Sequence, residues 1–480
     1  MYTAQQHYID GQWVEPIGGR RFETIDPATE EPSGVVQLGS ADDVDAAATA
    51  ARKAFGSFSR TSRKERIELL ESVIEAYAKR KDDLAEAITA EIGAPVTLAR
   101  KLHASIGHIH LAIALKVLRE FEFSKKRGAS EIRFEPIGVC GLITPWNWPI
   151  NQLAAKVAPA LATGCTTVLK PSELSPYSAQ IFAEVIEDAG VAPGVFNLVH
   201  GDGPTVGAAI SRHPEIDMVS FTGSTNAGIE VAKAAAPTVK RVHQELGGKS
   251  ANIILPDADV AKVAGDGFRA MVGNAGQSCN APTRMFVPRE KKQEALEALK
   301  QTAHALSVGA PASDPDYGPV VSAAQYQKIQ DLIERGIGEG ATLLTGGPGR
   351  PEGLNRGYFV RPTIFSDVTN DMTIAREEIF GPVLCVLEYD DLDEAIEVAN
   401  DMPYGLAAYI QGKDEAVIAD VASRLRAGQI LINNPHPDGM APFGGYKQSG
   451  NGREWGDFGF EAFLEVKALL GFSNPSQEKG

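Results

Sequence analysis

Thr166-Thr-Val-Leu169 runs into Lys170-Pro171-Ser172, then into Ser178–Ala189 ending at Gly190, then into Val195-Phe-Asn-Leu-Val199. The two short apolar, β-branched runs read as buried strands, and the longer run between them reads as a helix. The same unit recurs on both sides. Upstream, Ile137-Gly-Val-Cys-Gly-Leu-Ile143 is a buried strand closed by Thr144-Pro145. Downstream, Gly201-Asp-Gly203-Pro204 turns into a helix over Thr205–Ser211. Met218-Val-Ser-Phe221 is then a strand, leading through Thr222-Gly223-Ser224 into a helix to Ala236. Strand, glycine turn and helix, repeated, make a parallel sheet covered on both faces. A second series runs from Ser250 to about Gln448, so the pattern predicts two α/β domains. Ahead of both, Ala41–Ala54 and Arg63–Ile92 read as helices. In the second, Ile67, Leu70, Ile74, Tyr77 and Ala78 recur at three- and four-residue steps.

Composition narrows the class. The chain has 480 residues, 43% hydrophobic and 22% charged, which is globular and excludes bulk disorder. No stretch approaches the ~18 uncharged apolar residues of a membrane span. Met1–Asp10 has no basic region before an apolar core, so no secretory signal is expected. The formal net charge of −16 disfavours nucleic acid and anionic membranes as partners. The longest basic cluster, Lys125-Lys126-Arg127, is short and sits beside Gly128, as at a hairpin tip. Four cysteines without a C-x-x-C pair, and no His/Cys cluster, argue against a metal and for the reducing cytoplasm.

The glycine turns are candidate phosphate sites. Gly201-x-Gly203-x-x-x-Gly207 is one residue longer than the dinucleotide fingerprint, yet it keeps the strand–turn–helix context. Phe221-Thr-Gly-Ser224 has the same context, with a hydroxyl added, and Lys170 ends a third strand. Backbone N–H groups at such helix starts face anions; the same glycines also serve merely to tighten a turn, and residue patterns leave both readings open. Cys140, Cys165 and Cys385 lie in apolar runs and read as inert core. Cys279 differs: Gly273-Asn-Ala-Gly-Gln-Ser-Cys-Asn-Ala-Pro282 is polar and glycine-rich, a loop able to approach a ligand. It is either a nucleophile or an ordinary loop thiol. Glu245, in His243-Gln-Glu-Leu-Gly-Gly-Lys249, is either a water-activating base or a solvated carboxylate near a helix end. The nine histidines carry no assignment.

Seven ordered motifs resemble the aldehyde dehydrogenase superfamily. They are Thr144-Pro-Trp-Asn147-Trp-Pro149, Lys170-Pro-Ser-Glu173, Phe221-Thr-Gly-Ser224, Gln244-Glu245-Leu-Gly-Gly-Lys249, Gly276-Gln-Ser-Cys279-Asn-Ala281, Glu377-Glu378-Ile-Phe380-Gly-Pro382 and Pro442-Phe443-Gly-Gly-Tyr-Lys447-Gln-Ser-Gly450. Tyr8-Ile-Asp-Gly-Gln-Trp13 resembles the family's opening. The resemblance implies a Rossmann-like NAD-binding domain (1–120 and 137–246), an α/β catalytic domain (247–447) and a small β oligomerisation element (121–136 and 448–480). It also implies a homodimer or homotetramer in which that element extends a neighbour's sheet; the alternating run Phe463–Leu469 suits an edge strand.

The resemblance assigns roles as well. Cys279 would be the nucleophile, Asn147 and the Cys279 backbone N–H the oxyanion donors, Glu245 the base, and Lys156 with Glu454 a buried pair that passes protons. Cofactor contacts would fall on Thr144, Pro145, Trp146, Lys170, Ser172, Glu173, Gly203, Gly207, Phe221, Gly223, Ser224, Leu246, Glu378 and Phe380. Lys249 reads as solvated or structural. NAD is expected over NADP, because a 2′-phosphate would meet the Glu173 carboxylate. The substrate would be a small-molecule aldehyde, bulky aromatic or longer aliphatic, in a tunnel along Trp148, Ala155, Asn280, Pro437 and Phe443. Family members specialised for small aldehydes carry large aromatics where Ala155 and about Pro437 fall here. Two rivals remain. An acylating enzyme that resolves the thioester with coenzyme A would lack Glu245, and a non-catalytic homologue would lose Cys279, Asn147 or Glu245; all three residues are present.

Overall fold

The computed structural model describes residues 2–471. Five parallel strands, Arg241–Glu245, Met218–Thr222, Val139–Ile143, Thr166–Lys170 and Phe196–Leu198, lie side by side in that order. The chain starts in the middle strand, Val139–Ile143, builds two strands to one side, then returns to build two on the other. That is the Rossmann-like order, and its switch point lies between Val139–Ile143 and Met218–Thr222. Antiparallel strands close both edges: Gly450–Asn451 beside Arg241–Glu245, and the hairpin His7–Ile9/Gln12–Val14 beside Phe196–Leu198. Asp10 and Gly11, both at positive φ (50° and 75°), make the two-residue turn that this hairpin's twist requires.

A second, seven-stranded sheet orders Thr342–Thr345, Thr363–Ser366, Val383–Tyr389, Arg284–Pro288, Ala251–Ile254, Ala407–Gln411 and Gln429–Ile432. All pairs are parallel except the outermost, Thr342–Thr345 with Thr363–Ser366. Each large sheet has its own apolar core. Leu142, Leu153, Phe182 and Phe196 belong to the first, and Ile253, Phe268, Phe286 and Phe365 to the second. The mixed α/β architecture with parallel sheets is thus the one the sequence pattern predicts.

Local boundaries depart from the sequence reading where tertiary contacts intervene. Arg63–Ile92 is two helices, Arg63–Lys79 and Lys81–Ile92, parted at Arg80. No glycine or proline marks this break. Arg80 instead leaves helical geometry (φ −107°, ψ 9°) and its guanidinium pairs with Asp83 and Glu184. The helix expected from Thr205 begins as a π-turn, Gly203–Gly207, which Asp202 caps by accepting from the Thr205 N–H, and continues as Ala208–Arg212.

The basic cluster does form a hairpin. Ser124–Arg127 turns at Gly128 and pairs with Ser130–Pro136, and Leu464–Leu470 adds an antiparallel third strand on the far side. The chain beyond 447 also contributes to the first sheet. Gly450–Asn451 is its edge strand, and Phe460, Phe463 and Leu464 sit in its core. Arg241 anchors this segment by donating to the carbonyls of Ala462 and Leu464. Ser473–Gly480 lie outside the described residues. No helix among the described residues is long and apolar enough to cross a membrane.

Candidate active site

A cleft of about 670 Å³ opens beyond the carboxyl ends of the two switch-point strands, where ligands collect in open α/β sheets. Pro145, Trp146 and Asn147 line it from one strand exit, and Thr222, Gly223 and Ser224 from the other. Leu246, Cys279, Glu378 and Phe380 complete its lining. The turn–helix start at Ser224 has the geometry that favours an anion: Ser224 Oγ caps helix Thr225–Ala235 by accepting from the Ala227 N–H at 3.3 Å. Phe221 is buried at the strand end beneath it. Phe380, held at φ 61°, meets the Trp146 ring edge-on at 5.5 Å.

Farther along the sheet edge, Lys170 is buried, and its ammonium donates to the carbonyls of Pro171 (2.8 Å) and Gly201 (2.7 Å). The Glu173 carboxylate lies 3.5 Å from the same nitrogen and stays partly open to solvent. Burial lowers the Lys170 pKa, and Glu173 offsets part of that. Thr144 ties the two strand exits together by donating its N–H to the Lys170 carbonyl, and Ser172 Oγ shapes the next turn by accepting from the Leu174 N–H. Gly207 packs on the Lys170 stem. Gly203 begins the π-turn, whose capping carboxylate, Asp202, is itself paired with Arg20. Opposite, Glu378 accepts from the Gly248 N–H at 3.0 Å. A capped helix start and the Glu378 carboxylate in the cleft, with the Lys170 ammonium and the Glu173 carboxylate farther along the sheet edge, fit a dinucleotide.

Cys279 stands on a strained loop. Asn274, Ala275 and Gly276 are all left-handed (φ 52°, 56° and 74°). For alanine this costs roughly 1 kcal/mol or more, and packing must sustain it. A Cβ on Gly276 would come 2.2 Å from the Gly381 carbonyl, so only glycine lets the loop seat there. Asn147, buried, donates its side-chain amide to the Gln277 carbonyl at 3.0 Å, while its own carbonyl accepts from the Asn274 amide at 2.8 Å. Gln277 in turn accepts from the Val321 N–H and donates to the Asn274 carbonyl. The oxyanion-donor candidate is therefore braced against the nucleophile's own loop. Burial pushes the Cys279 thiol up, and the Glu378 and Glu245 carboxylates push it further.

Glu245 ends strand Arg241–Glu245 rather than lying near a helix end, and it is 2% exposed, so the solvated reading fails. Neither of its oxygens has a hydrogen-bond partner. A Cβ on Gly444 (φ 149°) would sit 2.6 Å from Oε1, so glycine is required for the carboxyl to lie there. Burial raises Glu245 well above the usual carboxylate range, and Glu454 adds to the effect while Lys156 and Arg453 oppose it. Lys156 and Glu454 form a buried ion pair. Burial alone would raise Glu454; Lys156, with His243 and His110, lowers it by more. Lys249 is likewise not solvated. It is buried with its ammonium unpartnered, and desolvation brings it down to about 8.

The five tunnel candidates do not line this cleft. Trp148 stacks on His103 at 4.0 Å and donates its indole N–H to Ser278 Oγ. Asn280 accepts at its carbonyl from Tyr409. Pro437 is exposed in its loop. Phe443 stacks on Trp455 at 4.7 Å and pairs its backbone with Glu454. Ala155 borders a separate small cavity with His110, Trp455 and Phe460. The room beside its methyl is bounded by these large rings, and Cys279 is not among the residues that line it. Gln152, Gln325 and Lys328 also line the cleft, although no sequence motif marks them. Gln325 and Lys328 are three apart on helix Ala323–Gly338, and that spacing was the only available signal.

A model of the aldehyde dehydrogenase family matches residues 13–469. A 3-succinoylsemialdehyde-pyridine dehydrogenase from a Pseudomonas species is 55% identical, over 98% of this chain and 99% of that one. Among solved structures, a mutant of aldehyde dehydrogenase C from Pseudomonas syringae, in complex with NAD+ and octanal, superposes with a TM-score of 0.97 at 52% identity, over 98% and 97% of the two chains. An aldehyde dehydrogenase from Mycobacterium tuberculosis in complex with NAD+ gives 0.95 at 40%, over 98% and 99%. The chain belongs to the aldehyde dehydrogenase family and is an oxidoreductase of that class.

Proposed function

We propose that the protein oxidises an aldehyde to the carboxylic acid through a covalent thioester on Cys279. The reading is carried by one arrangement: Cys279 and the Asn147 amide share the wall of the switch-point cleft, with that amide tied to the Cys279 loop. The Cys279 thiolate, formed as the thiol proton passes to solvent, attacks the carbonyl carbon, and the carbonyl electron pair moves onto oxygen. The Asn147 side-chain amide and the Cys279 N–H stabilise that alkoxide, donors placed in advance of the charge. Collapse of the alkoxide expels hydride and leaves the thioester. When bound, NAD would be held by Lys170, Glu173, Ser224 and Glu378 and would supply the hydride acceptor. Glu245 then takes a proton from water as the water oxygen attacks the thioester. The C–S bond breaks, the acid leaves, and Lys156 with Glu454 passes the proton outward.

The substrate we infer is a longer aliphatic or bulky aromatic aldehyde. The octanal complex of a 52%-identical enzyme and the pyridine-bearing aldehyde in the name of a 55%-identical one support it. Glu173, unblocked at the ribose end, supports NAD over NADP. Four free cysteines support a reducing, cytoplasmic setting. Exposed Val466 and Leu470 on the edge strand Leu464–Leu470 support a homo-oligomer, to be measured by light scattering.

NADH formation with acetaldehyde, hexanal, octanal and benzaldehyde tests the reading. Hexanal, octanal or benzaldehyde should have the highest kcat/KM, and Cys279→Ala should abolish turnover. In rapid mixing, Glu245→Gln should keep the NADH burst and slow the subsequent steady rate by ~10²- to 10⁴-fold, the usual worth of a general base. Loss of the burst itself would mean that Glu245 acts before hydride transfer.

A further inference from the structure

The cleft that holds Cys279 is not lined by Glu245, although the reaction proposed above needs that carboxyl at the thioester. Its side chain points instead into a buried cluster. Glu245 Oε1 lies 3.6 Å from His243 Nε2, two residues back on the same face of strand Arg241–Glu245. Both side chains are at least nine-tenths buried, and His243 Nε2 and both Glu245 oxygens have no other partner. On its other side, His243 Nδ1 is 3.5 Å from Ser220 Oγ on the neighbouring strand. The tautomer sets the direction of this contact; the one in which Nδ1–H donates to the hydroxyl leaves the Nε2 lone pair facing Glu245.

We propose that His243 is a positioning residue whose Nε2 accepts a hydrogen bond from the Glu245 carboxyl, parking it on the Lys156–Glu454 side until it turns toward Cys279. This deepens the proposed function and rests on Glu245 being the base. The surrounding charges agree with it. Burial keeps the imidazole neutral, down to about 4, against the Glu454 carboxylate, with Lys156, Arg453 and Arg241 also holding it down. Burial and Glu454 hold the proton on Glu245, against Lys156 and Arg453. A neutral acceptor thus faces a protonated donor. The contact tightens from 3.6 Å by a small side-chain rotation, and it is lost when the carboxyl ionises, because His243 Nε2 has no proton to offer. Ionisation and release are one event, so thioester hydrolysis should carry the pH dependence of the parked form.

The test is the pH dependence of the steady rate that follows the NADH burst, from pH 5 to 9. His243→Leu removes the acceptor at similar volume. It destabilises only the protonated carboxyl, so the midpoint should fall by about one pH unit, the tenfold worth of one buried hydrogen bond, with burst amplitude unchanged. His243→Gln, which returns an acceptor near the same place, should restore the midpoint. Ser220→Ala, which leaves the imidazole in place, should move it the same way by less, and decides the matter if the leucine variant does not fold. An unmoved midpoint in His243→Leu and Ser220→Ala, or a loss of burst and steady rate alike at every pH, overturns the proposal. Glu245→Gln runs in parallel. If it keeps the wild-type steady rate, the assignment of Glu245 itself falls; if it loses that rate while His243→Leu leaves the midpoint unmoved, only the role of His243 falls.

Discussion

Cys279 is the one cysteine placed for chemistry, yet its surroundings hold it as a thiol. Burial first, then the Glu378 and Glu245 carboxylates, favour the neutral form. At neutral pH the thiolate fraction should therefore be below that of a free cysteine. Without cofactor, iodoacetamide should alkylate Cys279 more slowly than it alkylates glutathione at pH 7, with a rate still rising above pH 9. A plateau below pH 8 would mean that a donor near the thiol outweighs burial. Cys140, Cys165 and Cys385 are buried and should not react in the folded protein. At the neighbouring positions, the same low-dielectric surroundings that suppress the thiol sharpen the oxyanion donors. The Asn147 amide proposed as a donor is already oriented by the Gln277 carbonyl, while the Asn274 amide holds the Asn147 backbone carbonyl.

The helix Pro149–Thr163 begins two residues after Asn147 and carries Ala155 and Lys156 side by side on different faces. Lys156 reaches the Glu454 carboxylate. Ala155 faces the rings of Trp455 and Phe460 and the imidazole of His110. A tryptophan at 155 would overpack this contact, at a cost of typically 1–3 kcal/mol. Ala155→Trp should accordingly lower Tm and reduce turnover of benzaldehyde and acetaldehyde in similar proportion. A selective loss of benzaldehyde turnover at unchanged Tm would return Ala155 to the substrate tunnel. The same helix shows how elements divide labour here. Its start aims Asn147 at the cleft, its middle supplies the buried cation, and its proline at 159 is tolerated inside a helix whose described side chains from Leu153 onward are all buried.

At the scale of the molecule, two parallel sheets with separate cores face one another across the cleft, and several histidines are sealed within the first half. His200 and His103 are at most 1% exposed, and desolvation holds each down to about 3. Their unfolded value is about 6.5. Between those limits the unfolded chain binds two protons that the folded chain refuses. The sign is therefore fixed: this contribution to stability is complete above about pH 6.5 and is lost as pH falls below it. Each histidine contributes a slope of roughly 1.4 kcal/mol per pH unit. His200→Gln should lose less Tm than wild type between pH 6.5 and 5, and equal losses would show that His200 takes up its proton while folded.

The sequence by itself determined the alternation of strand and helix, because turn glycines and apolar runs are local signals. It set Cys279 apart too, since that residue alone among four cysteines lies in a polar, glycine-rich stretch. It also carried the family, through seven ordered motifs. Tertiary structure decided the rest. The break at Arg80 follows from partners on other segments, and the burial of Glu245 and Lys249 depends on chain that arrives from elsewhere in the sequence, such as Gly444 for Glu245. Ala155 reads as free space along the chain, yet Trp455 and Phe460 bound it in three dimensions. His243 had no signal of its own, because a buried histidine differs from a surface one only by what surrounds it. Burial, charge neighbours and the facing of side chains are properties of the assembled sheets, and no window of local sequence contains them.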